Sequence, residues 1–108
     1  MELFLLELRQ LIPPLHSQEE ADDPIVYAKF FAADSNFTWY VTEGSPEDEE
    51  FIFFGYVIGV ENEWGYFALS ELESARGELD LPIERDSNFL AAPFSRVICT
   101  GTTGGKEQ

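Results

Sequence analysis

Carboxylates are the residues with which this chain could do chemistry. Twenty-one Asp and Glu oppose six Lys and Arg in 108 residues, a formal net charge of -15. Glu47, Asp48, Glu49 and Glu50 are consecutive, and Glu61, Glu63, Glu71, Glu73, Glu78 and Asp80 follow within the next thirty positions. Glycosidases use two carboxylates held at a set separation across a cleft. With this many acids some pair meets any separation, so the pattern selects nothing. Asp34-Ser35-Asn36 has the opening of a calcium loop but lacks the central glycine and the later bidentate acid at the required spacing. His16 stands alone, without a second His or paired Cys at zinc-ligand spacing. A serine triad would have to recruit that single histidine, and no Gly-x-Ser-x-Gly elbow is present. Nothing in the sequence places Cys99 beside His16. Without a convergent polar constellation, we expect no enzyme, no metal and no cofactor.

What remains is binding through charge. A surface this acidic repels nucleic acid and anionic membrane and attracts basic surfaces. Phe37, Trp39, Tyr40 and Phe54 are aromatic enough to stack bases, but six basic residues cannot line the groove that such stacking needs. Direct nucleic-acid binding is therefore not expected. Acidic surfaces also raise solubility, which is the competing explanation of the charge. The single Cys99 leaves no intramolecular disulfide and points to a reducing cytoplasm. The N-terminal MELFLLELRQ has no basic leader of the signal-peptide kind, and no apolar run approaches the roughly 18 residues that span a bilayer.

The elements that must position these acids follow from periodicity. Sixteen aromatic residues supply a core, which disordered acidic chains lack. Phe4, Leu5, Leu8, Leu11 and Ile12 recur at helical steps over 2–12 and are expected to be buried, and Pro13-Pro14 stops that helix. Residues 16–24 form a polar connector, in which His16 is expected at the surface. Ile25 to Ala32 and Phe37 to Thr42 read as a hairpin around the turn Ala33 to Asn36. Residues 43–50 read as a loop punctuated by Gly44 and Pro46. Phe51 to Val60 is apolar on both alternating faces and is expected to be the central strand, with a bulge or close backbone approach near Gly55 and Gly59. Trp64 to Leu69 is the next strand. Ser70 with Glu73 matches a capping box for a helix running to about Arg76, with Gly77 in its left-handed C-terminal position. Leu81-Pro82-Ile83 is extended, and Arg85 between Glu84 and Asp86 is expected to make an ion pair. Residues 87–99 read as a closing segment or edge strand.

Strands that follow one another without intervening helices favour an antiparallel sheet. The expected fold is α+β: a meander-like antiparallel sheet of about four to five strands, with an N-terminal helix and a short second helix covering one face. A single domain over 1–100 and a flexible tail over 101–108 complete the expectation.

Short motifs in order carry a resemblance. These are KFF at 29–31, Asp34-Ser35-Asn36 leading to Thr38-Trp39-Tyr40, Glu43-Gly44, Phe53-Phe54-Gly55, Gly65-Tyr66-Phe67, Ser70-Glu71-Leu72 and Leu81 to Asp86. Over about residues 3–90 the chain resembles a family of small bacterial proteins classed as a domain of unknown function and carried on plasmids, phages and integrated elements. The Ser45–Glu50 loop and the residues after Phe94 lie outside that likeness. The resemblance implies a setting, mobile DNA in a bacterial cytoplasm, and no assigned activity.

Charge and setting together give the functional expectation. The chain would be a non-enzymatic, DNA-mimic-like inhibitor of a basic nucleic-acid-binding host protein of restriction or CRISPR type. Its contacts would be Glu47, Asp48, Glu49, Glu50, Glu61, Glu63, Glu71, Glu73, Glu78 and Asp80. The alternative is an accessory protein, acidic only for solubility, that binds a partner through an aromatic patch such as Trp39 with Tyr40. An enzyme would instead build on Arg85 with Asp34 or Glu84.

Overall fold

Five antiparallel strands form the main sheet of the computed structural model, which describes residues 6–77 and 79–101, the side chains of 99–101 excepted. In chain order the elements are α1 (Leu6–Leu11), β1 (Ile25–Val26), β2 (Ala28–Ala32), β3 (Thr38–Glu47), β4 (Glu50–Ile58), β5 (Asn62–Ala68), α2 (Leu69–Ser74), β6 (Ile83–Arg85), β7 (Ala92–Pro93) and α3 (Phe94–Gly101). The sheet order is β5-β4-β3-β2-β6, and β1 pairs with β7 in a separate two-stranded ribbon. Four consecutive strands thus form a meander, and β6 returns to close its β2 side. This is the expected α+β fold.

Both faces of the sheet are covered, which is why β4 is apolar on both alternating rows. One face carries Ala28, Phe30, Val41, Phe51, Phe53 and Phe67, packed under Ile12 after α1 and Leu72 of α2. Phe53 lies within 5–6 Å, centroid to centroid, of Phe30, Phe51 and Phe67, the spacing of favourable aromatic pairs. The opposite face carries Val26 and Tyr40 under Val97 of α3, with Tyr56, Ile58 and Phe94 beside them. Asp23 fastens that helix: its carboxylate accepts the Ser95 hydroxyl (2.7 Å) and amide (2.9 Å). Those two bonds hold the Asp23 carboxyl below its ordinary pKa.

Several expectations are corrected. The first helix is described only from Leu6, and Phe4 and Leu5 lie outside the described residues; Leu11 is 55% exposed rather than buried. The Ile25 to Ala32 stretch is two strands, broken at Tyr27, so that Val26 serves one face and Ala28 the other. Residues 43–47 are not a loop but the second half of β3, which makes β3, not β4, the central strand. The 87–99 segment packs on the sheet as expected, but as the two-residue β7 followed from Phe94 by helix α3 and not as an edge strand of the main sheet, and Gly101, expected in the tail, ends that helix; residues 102–108 lie outside the described residues.

The bulge expected near Gly55 is present, but on the strand opposite. Val41 pairs with Gly55 and Glu43 with Phe54, leaving Thr42 as the extra residue. A Cβ on Gly55 would stand 1.8 Å from the Tyr40 carbonyl oxygen, so glycine is what lets the two backbones close here. Gly77 is likewise a close-approach residue: a Cβ there would meet the Asp34 carboxylate. Its backbone is not left-handed, and α2 ends earlier, at Ser74 with an extended Ala75.

Gly55→Ala should therefore cost about 2 kcal/mol or more, the range for forcing extra volume into a packed site. Gly65→Ala, with nothing within 4 Å of the new methyl, should leave stability within about 0.5 kcal/mol. Urea unfolding of the two variants checks the contrast.

Candidate functional site

The predicted acidic contacts fall into separate groups. Glu47 and Glu50 pair across the β3–β4 hairpin, and Asp48 and Glu49 form its exposed tip. Asp48 sits at φ 57°, a left-handed position that Asp tolerates in a tight turn. Glu50 is occupied locally. It accepts the Ser70 hydroxyl at 2.6 Å and, more distantly, the Ser70 and Phe51 amides, and these bonds hold its pKa below the ordinary value. Glu71 is occupied too, since its carboxylate accepts the Ala68 amide at 2.7 Å and caps α2. The N-cap is thus Ala68, two residues earlier than the Ser70–Glu73 capping box predicted, and Ser70 serves Glu50 instead. Glu73 is exposed on α2.

Glu61 and Glu63 are exposed at the opposite end of β4. Nine residues of β4 put about 30 Å between the two ends at ~3.3 Å per residue. Asp80, at φ 64°, lies across the sheet near the start of β6, in the turn whose Leu79 amide bonds Asp34. Glu78 lies outside the described residues. Eight of the ten candidates therefore border the β4–β5 side, at its two ends and along α2, and Asp80 does not join them.

The residue that sequence reasoning missed is Glu43. Bulging at Thr42 reverses the alternation of β3. Trp39 and Val41 face the α1/α2 side, but beyond the bulge it is Gly44 that faces that side, where a Cβ would press on Phe51 at 2.7 Å. Glu43 turns to the other face, opposite Phe54, and is only 4% exposed. Its two oxygens accept the backbone amides of His16 (2.7 Å) and Gln18 (2.9 Å). Gln18 completes the join, donating to the Ile25 and Thr42 carbonyls and accepting the Ile25 amide. Ser45 accepts the Leu15 amide, and the Gly44 amide donates to the Pro13 carbonyl. A polar connector is thus riveted to the bulge, and His16 adopts φ 76° to follow it.

Between this connector and β4–β5 lies a pocket of about 320 Å³. Thr42 and Glu43 line it from β3, Phe54, Trp64 and Tyr66 from β4 and β5, and His16, Glu19 and Asp22 from the connector. Phe54 stacks on Trp64 (15° between planes, centroids 5.8 Å) and meets Tyr66 at 4.9 Å. Trp64 and Tyr66 remain 39% and 59% exposed. This, not Trp39 with Tyr40, is the aromatic surface. Tyr40 is buried, and cross-strand pairing places Trp39 on the opposite face. The Gly-flanked Glu at 43, beside the predicted close approach at Gly55, was the available signal.

The remaining candidates do not converge. Arg85 faces the α1/α2 side opposite Phe30, and its Nε has no hydrogen-bond partner; Glu84 points to the other face. The expected ion pair of Arg85 is instead made by Lys29, with Asp86 at 3.9 Å. His16 is exposed, as expected, with Nδ1 3.1 Å from Glu19. Among the described residues no group of three or more His, Cys, Asp or Glu could hold a metal ion, and no helix is long and apolar enough to cross a membrane.

A family model described as "Protein of unknown function (DUF2958)" matches residues 6–104. The match includes the Ser45–Glu50 stretch and the residues after Phe94, both outside the resemblance read from the sequence. No curated protein and no solved structure matches the chain.

Two outcomes follow. Glu43→Ala removes the buried carboxylate that both connector amides bond and should cost at least about 2 kcal/mol in urea unfolding, with Glu43→Gln in between, because charge-assisted bonds contribute about 1.5–3 kcal/mol each. For Glu50, a folded pKa below the unfolded value stabilises the fold above pH ~4.5 and that contribution fades as pH falls through the folded value. Ser70→Ala should raise the Glu50 midpoint in a carboxyl NMR titration and flatten the acid limb of stability.

Proposed function

Since the chain belongs to the DUF2958 family of proteins of unknown function, its own surface must supply the reading, and we propose a non-enzymatic acidic binding protein. Its partner in this reading is a basic nucleic-acid-binding protein, contacted through the carboxylates that border β4 and β5. The supporting observation is their placement. Glu47, Asp48 and Glu49 stand at one end of β4, Glu61 and Glu63 at the other, and all five are exposed.

A magnitude supports the comparison with DNA. The longest extent of the molecule is 41 Å, a length over which duplex DNA carries about 24 phosphate charges at ~1.7 Å each. A net of -15 is of the same order, and six cations cannot neutralise 21 acids wherever they lie. Inhibition of a restriction or CRISPR effector by occupying its DNA-binding surface is the form of this reading suited to a mobile-element setting. Exposure of Trp64 and Tyr66 favours a second reading, an adaptor that docks a partner through these rings.

The test is competition. Affinity capture from bacterial lysate at two salt concentrations identifies the partner, and duplex DNA is then titrated against the purified pair. We expect DNA to displace the chain and added salt to weaken the complex steeply. The combined change Glu47→Gln, Asp48→Asn, Glu49→Gln, Glu61→Gln and Glu63→Gln should cost at least about tenfold, at roughly 0.3–1 kcal/mol per exposed pair. Unchanged affinity in that variant would contradict the proposal, and loss on Trp64→Ala instead would favour the adaptor.

A further inference from the structure

We propose that the pocket between the connector and β4–β5 binds one organic cation, the guanidinium or ammonium head group of an Arg or Lys side chain presented by another protein. The site does not rest on the acidic-edge reading, because it lies on the α3 face and uses none of the ten residues assigned there.

The argument begins with Glu43. A carboxylate this deeply buried is costly unless its charge is compensated. Its two hydrogen bonds come from backbone amides, not from a cation. Each carboxylate oxygen accepts about two bonds, so both have acceptor capacity left. The bulge aims the group into the pocket, and Glu19 and Asp22 add negative potential at the rim.

The walls then select among cations. Trp64 and Tyr66 offer exposed aromatic rings beside the carboxylates, and such rings attract Arg and Lys within about 6 Å of the centroid. A neutral apolar ligand would cover the carboxylate without bonding it, and an anion would be repelled. A hard metal ion needs several oxygen ligands together, and no such group exists among the described residues. At about 320 Å³ the pocket is at the small end of ligand sites, which run from roughly 300 to 1,000 Å³. That suits one side chain, not a cofactor.

The experiment is an NMR titration of the intact chain with Nα-acetyl-arginine amide at constant ionic strength. The citrulline counterpart, of the same shape but neutral, is the control, and choline, a quaternary ammonium, is the free small-molecule cation arm. We expect saturable shifts at the Trp64 indole and at the amides of His16, Gln18 and Glu43, and none with citrulline. Glu43→Gln should abolish them. Because that variant also loosens the connector, the exposed-residue variants Tyr66→Ala and Asp22→Asn are measured as well. Each should weaken binding by about two- to fivefold, the size of an exposed cation–π or ion-pair contact. Absence of saturation, equal shifts with citrulline, shifts centred on the 47–50 hairpin, tighter binding of choline, or unchanged affinity in both exposed-residue variants would each overturn the proposal. The combined glutamine and asparagine variant of the β4–β5 ends should leave these shifts intact, so failure here and failure at the acidic edge read out separately.

Discussion

One inserted residue and one buried carboxylate fix the connector against the sheet. Strand alternation has a period of two, so a single extra residue exchanges the faces of everything beyond it. At Thr42 that exchange sends Gly44 under the aromatic core, where no larger residue fits, and sends Glu43 to the far side. There the carboxylate gathers the amides of His16 and Gln18. Without the bulge, Glu43 would press into Phe51 and Phe53, and the 13–25 connector would lose its carboxylate anchor on β3. With it, the connector becomes a wall, and the space between that wall and Trp64 is the pocket.

The same covering of both faces decides where the charge goes. Helices α1 and α2 take one side of the sheet, and α3 with the β1–β7 ribbon takes the other. Most acids then emerge at strand ends, in turns and on the outer surfaces of helices. Glu47 to Glu49, Glu61 and Glu63, and Glu73 occupy those three kinds of place. Two of the apparent surface acids are held by the fold instead: Glu50 fastens the hairpin to α2, and Glu71 caps that helix. Charge count alone overstates how many carboxylates are free to meet a partner.

Much of this was legible in the sequence, and the misses have physical causes. Alternation in Phe51 to Val60 and Phe37 to Thr42 marked the meander, because sheet rows with distinct packing leave a period of two. EGSPEDEE at 43–50 has the composition of a loop, yet Gly44 is there for packing and Pro46 sits near the strand end opposite Phe51. Composition could not separate a turn glycine from a core glycine. Phe94, Val97 and Ile98 stand at helical spacing, but three apolar residues over five positions are too short a run to separate a helix from an edge strand. The pocket was not legible, since it depends on which face Glu43 occupies, and nothing in the sequence marks Thr42 as the extra residue that turns it there.

Hydrogen exchange at the connector tests the central role of Glu43 most directly. Residues 16–20 are polar and mostly exposed, and amides in such a segment would ordinarily exchange through small local openings. If the carboxylate rivets the connector to β3, the His16 and Gln18 amides will be protected nearly as strongly as those of the β3–β4 ladder. Exchange of both at unprotected-chain rates, with the β3 amides still protected, would contradict the account.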